Sequence, residues 1–184
     1  MTVASGVAAA IGDVKRFASP QKLVAYLGLN PSVRQSGEGP AYHGRITKQG
    51  SGHARGMLVE AAWAAARSPG PLRAFYRKIA ARRGQHIAAV ATARKLAMII
   101  WHMLTKEADY IWARPALMAR KLRSAELRAG RPADHARRGA AYDYNIPSKR
   151  AEERRRVEVA EASYAGFTSN WRTRTKSKPV ENSG

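Results

Sequence analysis

A compact, mainly α-helical domain is the fold class this sequence predicts. Apolar residues recur at helical spacing over most of the chain, and serine start signals and glycine stops punctuate those stretches. A single glycine-rich segment interrupts them. In order, Val7-Ala8-Ala9-Ala10-Ile11 forms a short helix ended by Gly12. Ser19-Pro20 then opens a second helix, with serine as N-cap and proline at the first helical position before Leu23, Val24 and Leu27. Between positions 28 and 52, six glycines and two prolines leave Ala41-Tyr42-His43 and Arg45-Ile46-Thr47 as the plausible strands. This segment, about 28–51, reads as a long loop or small hairpin, and loops of that length are usually functional or disordered.

Ser51 caps a helix to about Ser68, whose Ala54, Met57, Leu58, Ala61 and Ala65 form one apolar stripe. Pro69-Gly70-Pro71 breaks it, 72–83 is helical, and Gly84 ends that helix. The stretch 85–105 is apolar on most sides except Arg94, Lys95, Met98, His102 and Lys106, which marks it as the central helix. Past Trp112-Ala113-Arg114-Pro115 the composition changes. A short charged helix to Arg128 and a polar linker to Pro147 come first, then a charged helix to Trp171 with the thin apolar line Val157, Ala160 or Glu161, Tyr164 and Phe167, expected to dock weakly or to pair with another chain. Positions 172–184 read as a disordered basic tail. The divisions are therefore 1–113, 114–147, 148–171 and 172–184.

Charge points to a polyanionic partner. Lys and Arg number 33 against 13 Asp and Glu, a net +20, and such a chain attracts nucleic acid. From Val14 to Lys106 the only acids are Glu38 and Glu60, against sixteen Lys or Arg, so the charge there is one-signed. With no cysteine, disulfides and thiolate zinc sites are excluded and a cytosolic, nucleoid-associated location is permitted. The five histidines share no metal spacing. The most apolar run, 96–104, falls well below the roughly 20 residues of a membrane span, so no membrane is expected. Glu60 shares a helix face with Trp63 and Arg67, where an ion pair is expected.

Ser36 is the candidate nucleophile. It lies in Arg34-Gln35-Ser36-Gly37-Glu38-Gly39, followed by Arg45, Lys48 and Arg55. A serine attacking a phosphodiester needs its equatorial oxygens neutralised, and these cations lie close enough in sequence to supply that charge. Arg55 stands in the first turn of a helix, where a cation opposes the helix dipole and a phosphate at the same amides would relieve it. Serines in glycine-rich loops also commonly make turns, and spacing alone leaves that reading open.

The ordered run Ile11-Gly12-Asp13, Arg16-Phe17, Lys22 to Leu29, Ser36-Gly37, Gly44, Ile46-Thr47-Lys48-Gln49-Gly50, Arg55, Leu58-Val59-Glu60-Ala61-Ala62, Val90 to Leu96 and Ile100-Trp101 resembles the C-terminal domain of IS110/IS116-type insertion-sequence transposases. The resemblance covers roughly 1–113. It implies a two-part recombinase, in which an N-terminal DEDD domain holds a metal cluster and the C-terminal domain supplies a serine nucleophile, acting with a structured noncoding RNA on donor and target DNA. By that match Ser36 forms a phosphoserine link, and Arg45, Lys48 and Arg55 grip phosphates. Arg34 and His53 are added on position alone.

The departures set further expectations. Asp13 and Glu38 are the only acids before Glu60 and cannot build the DEDD cluster, so this chain carries no cofactor of its own and Mg2+ would belong to the DEDD domain. Met1 falls near the second helix of the family's helix-hairpin-helix, leaving a partial element. The chain is thus expected to be the C-terminal part of a transposase, unable to complete recombination alone. Its partners would be DNA, a structured RNA, a DEDD partner chain and a second copy of itself. The alternative is a non-catalytic nucleic-acid-binding remnant.

Overall fold

The computed structural model describes residues 2–37, 39–132 and 139–169. In chain order these form α1 (Thr2–Ile11), a 3-10 turn (Val14–Arg16), α2 (Pro20–Tyr26), β1 (Pro31–Arg34), β2 (Tyr42–Ile46), α3 (Gly52–Arg67), α4 (Pro71–Arg83), α5 (Gln85–Lys106), α6 (Pro115–Arg128), α7 (Ala140–Asp143) and α8 (Pro147–Ser169). The fold is mainly α, as expected, with one two-stranded antiparallel ribbon. The start signals work as read. Ser19 Oγ accepts from Lys22 N and Ser51 Oγ from Ala54 N, satisfying first-turn donors that no helical carbonyl reaches. Gly12, at φ +60, ends α1.

The main core joins α1, α2, α3 and α5. Val7, Ile11, Leu23, Val24, Leu27 and Leu58 are buried there against Ala54, Ala62, Ala93 and Ala97, whose small side chains let α3 and α5 approach closely. Full burial of each of these leucines contributes about 2–3 kcal/mol. The buried stripe of α3 is Ala54, Leu58 and Ala62, one position round from the predicted one, with Met57, Ala61 and Ala65 half-buried. Trp101 is anchored by donating Nε1–H to the Phe17 carbonyl at 2.9 Å. A second cluster sets Tyr76 with Ala88 and Ala89, and Trp63 lies 5.9 Å from the Tyr76 ring.

As predicted, α5 is the central helix, with α2, α3 and α4 against it. Its polar stripe is narrower than expected, because Met98 packs on the core. By length and apolarity alone this 22-residue helix is sufficient to cross a bilayer, which counting only 96–104 had missed. Here it is the hub of the bundle. Glu60 is exposed and has no ion pair among the described residues.

The C-terminal helix corrects the expectation of weak docking. Glu161 of α8 accepts from the Gly70 amide at 3.0 Å and from Arg73 Nε and Nη2 at 2.8 and 2.6 Å, with Arg77 at 3.5 Å. Gly70, the residue before α4, has no side chain to cap it, so the cap comes from α8. Two turns earlier on α8, Glu153 accepts from Ala116 N at 2.6 Å and so caps α6, whose own Arg114 makes no side-chain cap. Lys78 donates to the Thr168 carbonyl, and the Lys95 ammonium lies 4.7 Å from the Phe75 ring and 5.6 Å from Tyr164. Val157 and Ala160 are buried with Glu161, whereas Phe167, expected on the same line, is largely exposed. In the expected linker the short α7 forms, and beyond it Tyr144 lies between the Arg120 and Arg150 guanidiniums at 4.7 and 5.6 Å. The predicted end at Trp171 and the tail 172–184 fall outside the described residues.

Candidate functional site

The glycine-rich segment is a hairpin. Its register pairs Pro31 with Ile46, Val33 with His43 and Arg34 with Tyr42, with an irregularity between Pro31 and Val33. The two stretches expected as separate strands, 41–43 and 45–47, are one strand through 46, and its partner Pro31–Arg34 went unrecognised. Pro31 opens that partner, where a missing N–H is tolerated. Gly44 permits close crossing, since a Cβ there would stand 2.5 Å from Ser32 Oγ.

The base of the hairpin is clamped between α2 and α3. Lys48 N donates to the Gly28 carbonyl at 3.1 Å and Thr47 N to the Asn30 carbonyl at 2.8 Å. Gly28, Lys48 and Gly50 all have positive φ, at 67, 58 and 112°. Arg55 completes the clamp, with Nη1 donating to the Leu27 and Lys48 carbonyls at 3.2 Å each. Leu27 is the C-cap of α2, so the Arg55 cation meets the negative end of one helix although it sits at the positive end of another. The Arg55→Ala variant is therefore expected to lose about 1.5–3 kcal/mol, the range for hydrogen bonds to a charged group. Chemical denaturation checks this, and Arg55→Lys should recover only part of the loss because one ammonium cannot reproduce the fork.

Ser36 lies just past β1 in an exposed turn. Gly39 N donates to the Ser36 carbonyl at 3.3 Å, Gln35 Nε2 donates to the Gly39 carbonyl at 3.1 Å, and Gly37 has φ +58. Val33, Arg34, Gln35, Ser36, Gly39, Pro40 and Tyr42 line an open depression. Among the described residues no hydrogen bond is made by the Ser36 hydroxyl.

The predicted cations do not converge on it. Arg34 pairs directly with Tyr42 near the tip of the ribbon, whereas Arg45 lies in β2 within the irregular stretch between the His43 and Ile46 pairs. Arg45 is three residues along from Tyr42, about 10 Å toward the base. Lys48 and Arg55 belong to the clamp, and exposed His53 opens α3 beside it. Only Arg34 shares the depression with Ser36. Tyr42, also there, was not singled out in the sequence, and neither was Arg16, stacked over Phe17 and Tyr26 at 4.6 and 4.5 Å. An aromatic two residues after a proline in a glycine-rich loop was the available signal for Tyr42. Among the described residues no group of three His, Asp or Glu side chains stands close enough to hold a metal ion.

A family model described as Transposase IS116/IS110/IS902 matches residues 1–77. Over that stretch, less than half of its length, the chain is similar to this transposase family. Over 111 residues the chain is 33% identical to a probable family 20 transposase of Pseudomonas aeruginosa, covering 58% of this chain and 32% of that one. It is 33% identical over 111 residues to the transposase for insertion sequence element IS1111A of Coxiella burnetii, covering 58% and 30%. A putative transposase y4qE of Sinorhizobium fredii is 49% identical over 53 residues, 29% of this chain and 13% of the relative. The matches thus span about a third or less of each relative. No solved structure matches the chain. The matched segment 1–77 contains α1 to α3, about half of α4, the clamp and the whole hairpin with Ser36.

Proposed function

We propose that this chain acts in DNA transposition, binding DNA through its one-signed basic surface and presenting Ser36 as the nucleophile of strand exchange. The observation that carries the reading is an exposed serine at the end of a ribbon whose base is tied by Arg55 and two glycines, inside the transposase-family segment. In the reaction the Ser36 Oγ–P bond forms as the P–O bond to deoxyribose breaks, the serine proton leaves to a base, and the released strand hydroxyl takes up a proton. The phosphoserine link keeps the bond energy for rejoining. Arg34 is the cation placed to meet the phosphate beside Ser36. Arg45, Lys48 and His53 lie farther along the ribbon and at its base, suited to the flanking backbone, and Arg55 serves first to position the hairpin. A DEDD domain holding Mg2+, a structured RNA and a second copy of this chain complete the machine.

The test is covalent. With DEDD domain, RNA and DNA supplied, the chain is expected to give a protein–DNA adduct stable to denaturing electrophoresis, and Ser36→Ala to abolish it. An adduct that survives Ser36→Ala, or none from the wild type, defeats the nucleophile. A second reading, a non-catalytic nucleic-acid-binding remnant, draws support from the dispersal of the cations around Ser36. It predicts binding with a steep salt dependence that Ser36→Ala leaves unchanged, and no adduct.

A further inference from the structure

We infer that Tyr42 holds an unstacked DNA nucleotide beside Ser36, so that the preferred substrate carries a locally unpaired base at the attacked phosphate. This rests on the DNA-binding reading above. Tyr42 is 68% exposed, on a ribbon whose neighbouring Val33 is 56% exposed, so the ring is not spent on the core. Its direct partner across the ribbon is Arg34, which brings the two Cβ atoms within about 4.5–5.5 Å on one face. Both line the depression that contains Ser36, with Gly39 and Pro40 between the strands. One concavity therefore presents a hydroxyl, a guanidinium and an aromatic face, suited in turn to the phosphorus, the phosphate oxygens and the base of a single nucleotide.

A perfect duplex leaves one of these surfaces without a partner. Its bases are stacked and show the ring no π-face, so Tyr42 would stay solvated while only Arg34 and Ser36 met the backbone. An unpaired nucleotide swung out of the stack fills all three positions at once. It also fixes the phosphate relative to Ser36 through two contacts rather than one, in a turn with no other group of the described residues holding the serine hydroxyl.

The experiment measures the full chain by fluorescence anisotropy, at one fixed salt concentration, against a perfect DNA duplex and the same duplex carrying a bulge of unpaired thymidines. The wild type is expected to bind the bulged duplex about tenfold more tightly, the order of one base–aromatic stack. Tyr42→Ala should bring the two affinities together while leaving the perfect-duplex affinity unchanged. Tyr42→Phe, which keeps the ring and removes the hydroxyl, should retain the preference. Circular dichroism of Tyr42→Ala should match the wild type, because the side chain is outside the core. Equal wild-type affinity for both duplexes, a preference that survives Tyr42→Ala, or one lost in Tyr42→Phe overturns the inference and leaves DNA binding standing. Failure to bind either duplex at low salt instead removes the reading on which it rests.

Discussion

Replacing Gly50 by alanine is expected to cost about 3 kcal/mol or more of stability and to release the hairpin from the bundle. Two terms add. At φ 112° the backbone occupies a region that an L side chain enters only with strain, and the new Cβ would stand 1.9 Å from the Tyr26 carbonyl oxygen. That oxygen belongs to backbone in α2, whose Leu23, Val24 and Leu27 are fully buried, so neither side yields cheaply. The hydrogen bonds from Thr47 and Lys48 that close the base should open together, because both need β2 held against the end of α2. Urea unfolding gives the loss, and hydrogen exchange at the Thr47 and Lys48 amides reports the opening. Gly37→Ala is the control, with a similar sign of φ but open space around the new Cβ, and its cost should stay near 1 kcal/mol. Equal costs at the two positions would refute the close approach at Gly50.

The second large effect belongs to Glu161. Its side chain is only 12% exposed and serves Gly70, Arg73 and Arg77 at once. Glu161→Gln should cost about 2–4 kcal/mol, since it leaves Arg73, itself 19% exposed, without its counter-charge. The wild-type pair also has a pH signature. Burial pushes the Glu161 carboxyl up, but the hydrogen bonds from Arg73 and the Gly70 amide, with the charges of Arg73 and Arg77, outweigh it and hold the carboxyl below its ordinary value. The Arg73 guanidinium is correspondingly held above its ordinary value, chiefly by the same hydrogen bond. A carboxylate lowered by folding stabilises above its unfolded value, about 4.3, and that contribution fades as pH falls through the lower folded value. Wild-type stability should therefore drop on acidification by more than that of Glu161→Gln. Parallel pH profiles for the two proteins would remove Glu161 from the account.

The parts of the fold that lay open in the sequence were those fixed by local chemistry. Ser19-Pro20, Ser51, Gly12 and Gly84 marked helix ends because caps and positive-φ stops act within a turn of themselves. What stayed hidden depends on partners distant in sequence. Pro31–Arg34 reads as loop by composition and becomes a strand only through pairing with Tyr42–Ile46. Glu153 was one charge among many on a charged helix and Glu161 an alternative to Ala160 on its thin apolar line, and nothing local tells a carboxylate facing water from one facing the bare start of another helix. At the site, Ser36 and its basic neighbourhood were readable as residues, but their arrangement was not. Sequence proximity grouped Arg34, Arg45 and Arg55, whereas the hairpin spreads them along its length, Arg34 by the turn, Arg45 toward the base and Arg55 in the clamp.

The cap that α8 places on α4 also sets a timetable. Gly70 and Glu161 are 91 residues apart, and at ribosomal speeds that interval lasts on the order of ten seconds. Throughout it the nascent α4 carries an unanswered amide and Arg73 lacks its carboxylate, with the hairpin already synthesised alongside. The arrival of α8 then supplies the missing cap, so a helix made late is the one that stabilises an earlier one.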